Sequence, residues 1–165
     1  MPYMTLTNRF LGVSAALLTL SITLGASAFA QIDPQVGVWK LNVEKSKYSP
    51  GPAPKSATTT IDAVGAGTKV VVDQVLADGT TRHWEFTANY DGKDSPVVGN
   101  NPDADMVART RTSPSTVWTI SKRGGKVTTT QTSGVSSDGK TRIVTTTGTT
   151  ASGQQVNNVA VYEKQ

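Results

Sequence analysis

The side chains of this chain that could do chemistry are few and widely spaced. His83, the one histidine among 165 residues, stands two positions before Glu85. On an extended chain that spacing puts imidazole and carboxylate on one face, a pair able to exchange protons or to begin a metal site. The opposite face carries Trp84 and Phe86, so His83 and Glu85 are expected to point to water. Arg109 and Arg111 share a strand face and Arg142 begins a later strand; a guanidinium turned into a dry site binds anions bidentately. Arg109 and Arg111 alternate with Ala108, Thr110 and Thr112 and are read as a solvated outer face, which leaves Arg142 as the polar anchor of any interior site. Asp91, Asp94, Asp103 and Asp105 crowd one segment without the odd-position spacing of a calcium loop. The chain has no cysteine, which removes thiolate nucleophiles, zinc-thiolate sites and disulfides, and one histidine leaves few soft ligands for a transition metal. No catalytic residue, metal ligand or cofactor is assigned.

The aromatic residues offer a wall for a pocket. Trp84, Phe86, Ala88 and Tyr90 alternate along one segment, Trp118 and Ile120 along another. With Tyr162 and Arg142 they form the expected ligand-binding set, Trp84, Phe86, Tyr90, Trp118, Arg142 and Tyr162, the alternative being plain core packing.

These residues must be positioned by strands. In Gly37, Trp39, Leu41 and Val43 the bulky groups fall on alternate positions, the two-residue period of a half-buried strand, so Trp39 points inward as a plug. Glu44 to Ser49 could make one helical turn, and Pro50 to Pro54 forbid regular hydrogen bonding. Further strands are expected near 56–64, 68–77, 80–90, 106–112, 115–122, 126–135, 140–150 and 154–164, joined by turns such as Asp78-Gly79, Gly124-Gly125 and Asp138-Gly139. Residues 91–105 are left as one long acidic loop over the barrel mouth. Consecutive hairpins make an all-β, up-and-down antiparallel β-barrel of 8 to 10 strands, closure removing exposed edges; a β-sandwich is the alternative. Threonine runs at 58–60, 128–130 and 145–147 put hydroxyls on both faces of their strands, as in a partly hydrated cavity.

Residues 1–30 read as a signal peptide: Arg9, an apolar run from Phe10 to Leu24, then Ala28-Phe29-Ala30. Residues 31–165 then form one domain, periplasmic or secreted, with no membrane span after cleavage. The formal net charge of +4 is scattered singly, without the basic stripe and interleaved aromatics of a nucleic-acid binder.

Gly37-Val38-Trp39-Lys40-Leu41 resembles the G-x-W strand that opens lipocalins and fatty-acid-binding proteins, and Val161-Tyr162-Glu163-Lys164 resembles the terminal strand of the latter. Lys45-Ser46-Lys47-Tyr48 with Pro50-Gly51-Pro52, and Asp91-Gly92-Lys93-Asp94, are similar to a group of exported bacterial lipocalin-like proteins. The resemblance implies a calycin barrel that holds a small molecule inside. It departs at Ala160, where fatty-acid-binding proteins carry the arginine that helps hold the ligand carboxylate, and at the proline-rich crossing that replaces their helical lid. The function expected is an exported lipocalin-like barrel binding a small, mainly apolar or amphipathic ligand in its interior. The alternatives are an isomerase or hydrolase using His83 and Glu85, and a non-catalytic envelope or adhesive β module.

Overall fold

A computed structural model describes residues 33–165; the leader read at residues 1–30 lies outside the described residues. Among the described residues ten strands follow one another without a helix: β1 (Gly37–Lys47), β2 (Ser56–Val64), β3 (Gly67–Val75), β4 (Thr81–Asn89), β5 (Asp91–Gly99), β6 (Met106–Ser113), β7 (Thr116–Arg123), β8 (Lys126–Val135), β9 (Thr141–Thr149) and β10 (Gln155–Lys164). Each pairs antiparallel with the next, and β1 pairs with β10, so the sheet closes on itself. Closure excludes the β-sandwich. It satisfies the backbone groups that two free edges would leave unpaired.

The register turns the bulky alternate residues inward. Leu41 lies opposite Tyr162 across the β1–β10 seam, and Ile61 opposite Val70 across β2–β3. Trp39, Leu41, Ile61, Val70, Val144 and Tyr162 form the centre of the core. Intervening residues form a wet wall, with Lys69 bridging to Glu85 and Asp73 meeting His83. Charged pairs in mid-strand are unlike the apolar band of a lipid-facing barrel.

Two expectations about local structure are corrected. The segment 91–105 is not a loop throughout, because β5 occupies its first nine residues and pairs with β6 through Asp94–Ala108, Ser95–Val107 and Pro96–Met106. Of the acidic residues that suggested a loop, Asp91 and Asp94 are exposed positions of β5, where Asp94 ion-pairs with Lys122 at 2.8 Å, and Asp103 and Asp105 lie between β5 and β6. The turn proposed at Glu44–Ser49 is the end of β1, where the register with β10 shifts between Asn42 and Lys47. There the Ser46 hydroxyl donates to the Asn42 carbonyl oxygen at 2.6 Å, and its oxygen accepts the Val161 N–H at 2.9 Å. This bulge uses side-chain bonds in place of ladder bonds.

β4 and β5 meet only through Trp84–Gly99, Glu85–Val98 and Phe86–Val97. Below that short ladder the strands part, since β5 follows β6 and β4 follows β3 along its whole length.

Candidate functional site

The barrel encloses a cavity of about 270 Å³, near the lower end of small-molecule pockets. One end is sealed. Trp39 and Gln35 are fully buried there, and the Trp39 indole N–H donates to the Gln35 carbonyl oxygen at 2.9 Å. The Gln35 amide nitrogen donates to the backbone oxygens of Ser115 and Ser133 at 2.9 and 3.0 Å, tying the chain before β1 to the strands on the far side. Lys164 covers the plug from outside, its Nζ 5.1 Å from the Trp39 ring. The opposite end is rimmed by polar groups, Arg82, Asn101 and Asp103 among them, with Tyr48 from the proline-rich crossing.

Arg142, on β9, lies just above the plug. Its Nε donates to the Ser133 hydroxyl at 2.7 Å and to Gln35 Oε1 at 3.2 Å, and Ser133 in turn donates to the same Oε1 at 2.9 Å. Its guanidinium carbon is 5.6 Å from the centre of the Tyr162 ring. Among the described residues no hydrogen bond uses its two terminal nitrogens and no carboxylate pairs with it. Burial pulls this guanidinium down to about 10, Tyr162 opposing and Arg109 adding to the shift; it is still a full cation at neutral pH.

Arg109, on β6, also enters the cavity, 2% exposed. The expectation of a solvated outer face fails for it because Val107 and Arg109 take the inward positions of β6. Its Nη1 donates to the Thr68 hydroxyl, and its carbon lies 5.0 Å from the Tyr90 ring and 5.8 Å from that of Phe86. Its Nε is buried without a partner. Burial lowers its pKa, with Tyr90 and Asp33 opposing. Arg111 stays nearer the surface. It stacks 4.0 Å over Tyr90 and ion-pairs with Asp33, which also accepts the Tyr90 hydroxyl at 2.6 Å. Burial pushes the Asp33 carboxyl up, but the bonds from Tyr90, the Gln35 amide and Arg111 outweigh it and hold it below the usual range.

Four of the six expected ligand-binding residues line the cavity: Trp84, Phe86, Arg142 and Tyr162. Tyr90 does not; its ring is held between Arg109 and Arg111, and its hydroxyl is spent on Asp33. Trp118 is on the outer wall, 41% exposed. The inward positions of β7 are Val117, Thr119 and Ser121, so the Trp118–Ile120 alternation marked the outer face. His83 and Glu85 point outward, as expected. His83 Nδ1 is 2.7 Å from Asp73, and the acid–base alternative that relied on this pair loses its place in the cavity. Gln35 was not foreseen, because nothing in Asp33-Pro34-Gln35 distinguishes a plug from a polar linker.

The wall is not mainly apolar. β3 and β4 contribute Val70, Val72, Trp84 and Phe86 along with Gln74 and Arg82, while β7 and β8 contribute Thr119, Ser121, Thr129, Gln131 and Ser133. The inward hydroxyls of the threonine runs are thus Thr59, Thr129 and Thr146, and their neighbours Thr130 and Thr147 meet on the outer wall at 3.2 Å.

No family model matches the chain, and no curated protein matches it either. Among solved structures it is similar to zebrafish ileal bile acid-binding protein complexed with cholic acid, at 14% identity over 80% of this chain and 99% of that one, with a TM-score of 0.45.

Proposed function

We propose that this protein is an exported carrier that holds a small amphipathic anion inside its barrel, the acidic group of the ligand lying against Arg142 and Arg109. The observation that carries this reading is the pair of buried guanidiniums with no carboxylate partner at the closed end of a cavity. An ion taken out of water costs several kcal/mol unless it is paired, and retaining two such ions unpaired is understandable where a ligand supplies the counter-charge. Trp84 and Phe86 offer apolar contact for the rest of the molecule, and Tyr162 a ring against Arg142. The leader-like residues 1–30 support export to the periplasm or the medium.

Native mass spectrometry of the protein recovered from its own cell envelope, followed by calorimetric titration with the acid so identified, tests the proposal. Expected is a retained anion whose affinity falls at least about a hundredfold in Arg142→Met, the scale of losing a buried charge-assisted contact. Recovery of an empty barrel that binds no anionic amphiphile would refute it. Recovery of residues 31–165 from the cytosol alone would refute the export part.

A further inference from the structure

The two sides of the cavity differ in a way that limits the shape of the ligand. In the closed ring of ten strands, β3 stands five places from β8 and β4 five places from β9. Val70, Val72, Trp84 and Phe86 therefore face Thr129, Gln131, Ser133 and Thr146 across the cavity. One side is mainly aliphatic and aromatic, with Gln74 and Arg82 as its polar members, and the other is mainly hydroxyl and amide, with Val144 as its apolar one. The Thr119 and Thr129 hydroxyls and the Gln131 amide make no side-chain hydrogen bond among the described residues, yet none is sealed off; the buried atom left without a partner is Nε of Arg109. Free donors and acceptors thus run along most of one wall, while the other offers them only at its ends, at Gln74 and Arg82.

A linear alkyl acid fits such a space poorly. Its chain is apolar all round, so whichever side turns to β7–β9 removes water from hydroxyls and amides and returns nothing, a loss of about 1–3 kcal/mol for each group left unpaired. A ring with carbon–hydrogen bonds on one face and hydroxyls at its edge or other face meets both walls. Its apolar face stacks on Trp84 and Phe86, and its hydroxyls reach Gln131 and the threonines. We infer that the cavity selects a cyclic, polyhydroxylated anion, its acid at Arg142 and Arg109 and its hydroxyls on the β7–β9 wall. This rests on the anion-binding reading above and adds to it the class of molecule. Sugar acids and hydroxylated alicyclic acids share that chemistry, and the test separates them.

Calorimetric titration of the purified residues 31–165 would use matched probes: 4-nitrophenyl β-D-glucuronide against 4-phenylbutyrate for the sugar acids, cholate against lithocholate for the alicyclic acids, and dodecanoate as the linear acid. Expected is a preference of about tenfold or more for the hydroxylated member of at least one pair. The pair that shows it identifies the source. Gln131→Leu, and Thr119→Val as a milder change, should bring that ratio close to one, weakening the hydroxylated member and strengthening the less hydroxylated one, which no longer leaves that wall group unpaired. Arg142→Met should weaken all the acids alike. Dodecanoate binding as tightly as the hydroxylated acids, or a ratio unmoved by both wall variants in protein that still melts cooperatively, would overturn the inference and leave the anion site standing. Failure of every acid to bind would overturn both.

Discussion

Arg109 is the least economical residue of the barrel. Its guanidinium is buried beside two aromatic rings, one nitrogen bonds Thr68 and another is orphaned. Replacing a buried ion and its partner by apolar groups of similar shape is commonly neutral or stabilising. The double variant Arg109→Met/Thr68→Val is therefore expected to be more stable than the parent by about 1–3 kcal/mol, seen as a higher urea midpoint at unchanged slope, while its affinity for acids drops. Arg142 gives a second prediction, through pH. Its folded pKa is depressed to about 10 by burial, so the empty protein carries the charge at a cost that is relieved as pH rises through 10. A bound anion favours the charged form. Affinity is expected to be flat from pH 6 to about 9 and to fall above about 10, and calorimetry across that range, with Arg142→Met as the control that loses the dependence, checks it.

Among the elements, the β4–β5 seam is the weak place. This seam rests on three residue pairs ending at Gly99, fewer than the four of β1–β2 and of β5–β6 and the nine of β3–β4. A Cβ at Gly99 would come within 2.3 Å of the His83 carbonyl oxygen, and its φ of +109° is unsuited to other residues. Asn100 fixes the same corner, its N–H donating to the His83 oxygen at 2.9 Å and its Oδ1 accepting the His83 N–H. Gly99→Val is expected to cost about 1–3 kcal/mol through strain and clash. It should also raise amide exchange at Val97 and Val98 far more than at Val71 in the fully paired β3. Uniform acceleration across all ten strands would contradict a local seam.

For the whole molecule, a single closed sheet around one cavity means that filling the cavity stabilises everything at once. An acid that binds only the folded barrel and is present at a hundred times its Kd should add about 2.7 kcal/mol. For a domain of this size that raises Tm by several degrees, and the rise should vanish in Arg142→Met. Salt will not reproduce it. The ion pairs Lys45–Glu163 and Lys69–Glu85 and the His83–Asp73 contact lie on the outer wall with much of each side chain in water, and such pairs contribute little.

The sequence by itself determined the class of fold. Period-two alternation about Trp39, Leu41, Trp84 and Phe86, with glycine turns at short intervals, is a local property, and it was enough for a closed antiparallel barrel and for the outward facing of His83 and Glu85. The inward facing of Trp84 and Phe86 followed from the same period. What it did not determine were the faces of strands whose alternation is ambiguous in type. On β7 the larger apolar residues, Trp118 and Ile120, look outward and the small polar ones inward, because that wall is half of a polar cavity. Arg109 sits inside for the same reason, and nothing local distinguishes it from Arg111. Asp91 to Gly99 read as loop because an acidic, proline-bearing segment has poor strand propensity, and only pairing with β6 as far as Pro96 and with β4 from Val97 to Gly99 made it β5. The plug of Gln35 depends on carbonyls 80 and 98 residues away. Partners that distant are brought together by closure of the barrel, and the chemistry of the site, two unpaired cations between an apolar and a hydroxylated wall, exists only once that closure has occurred.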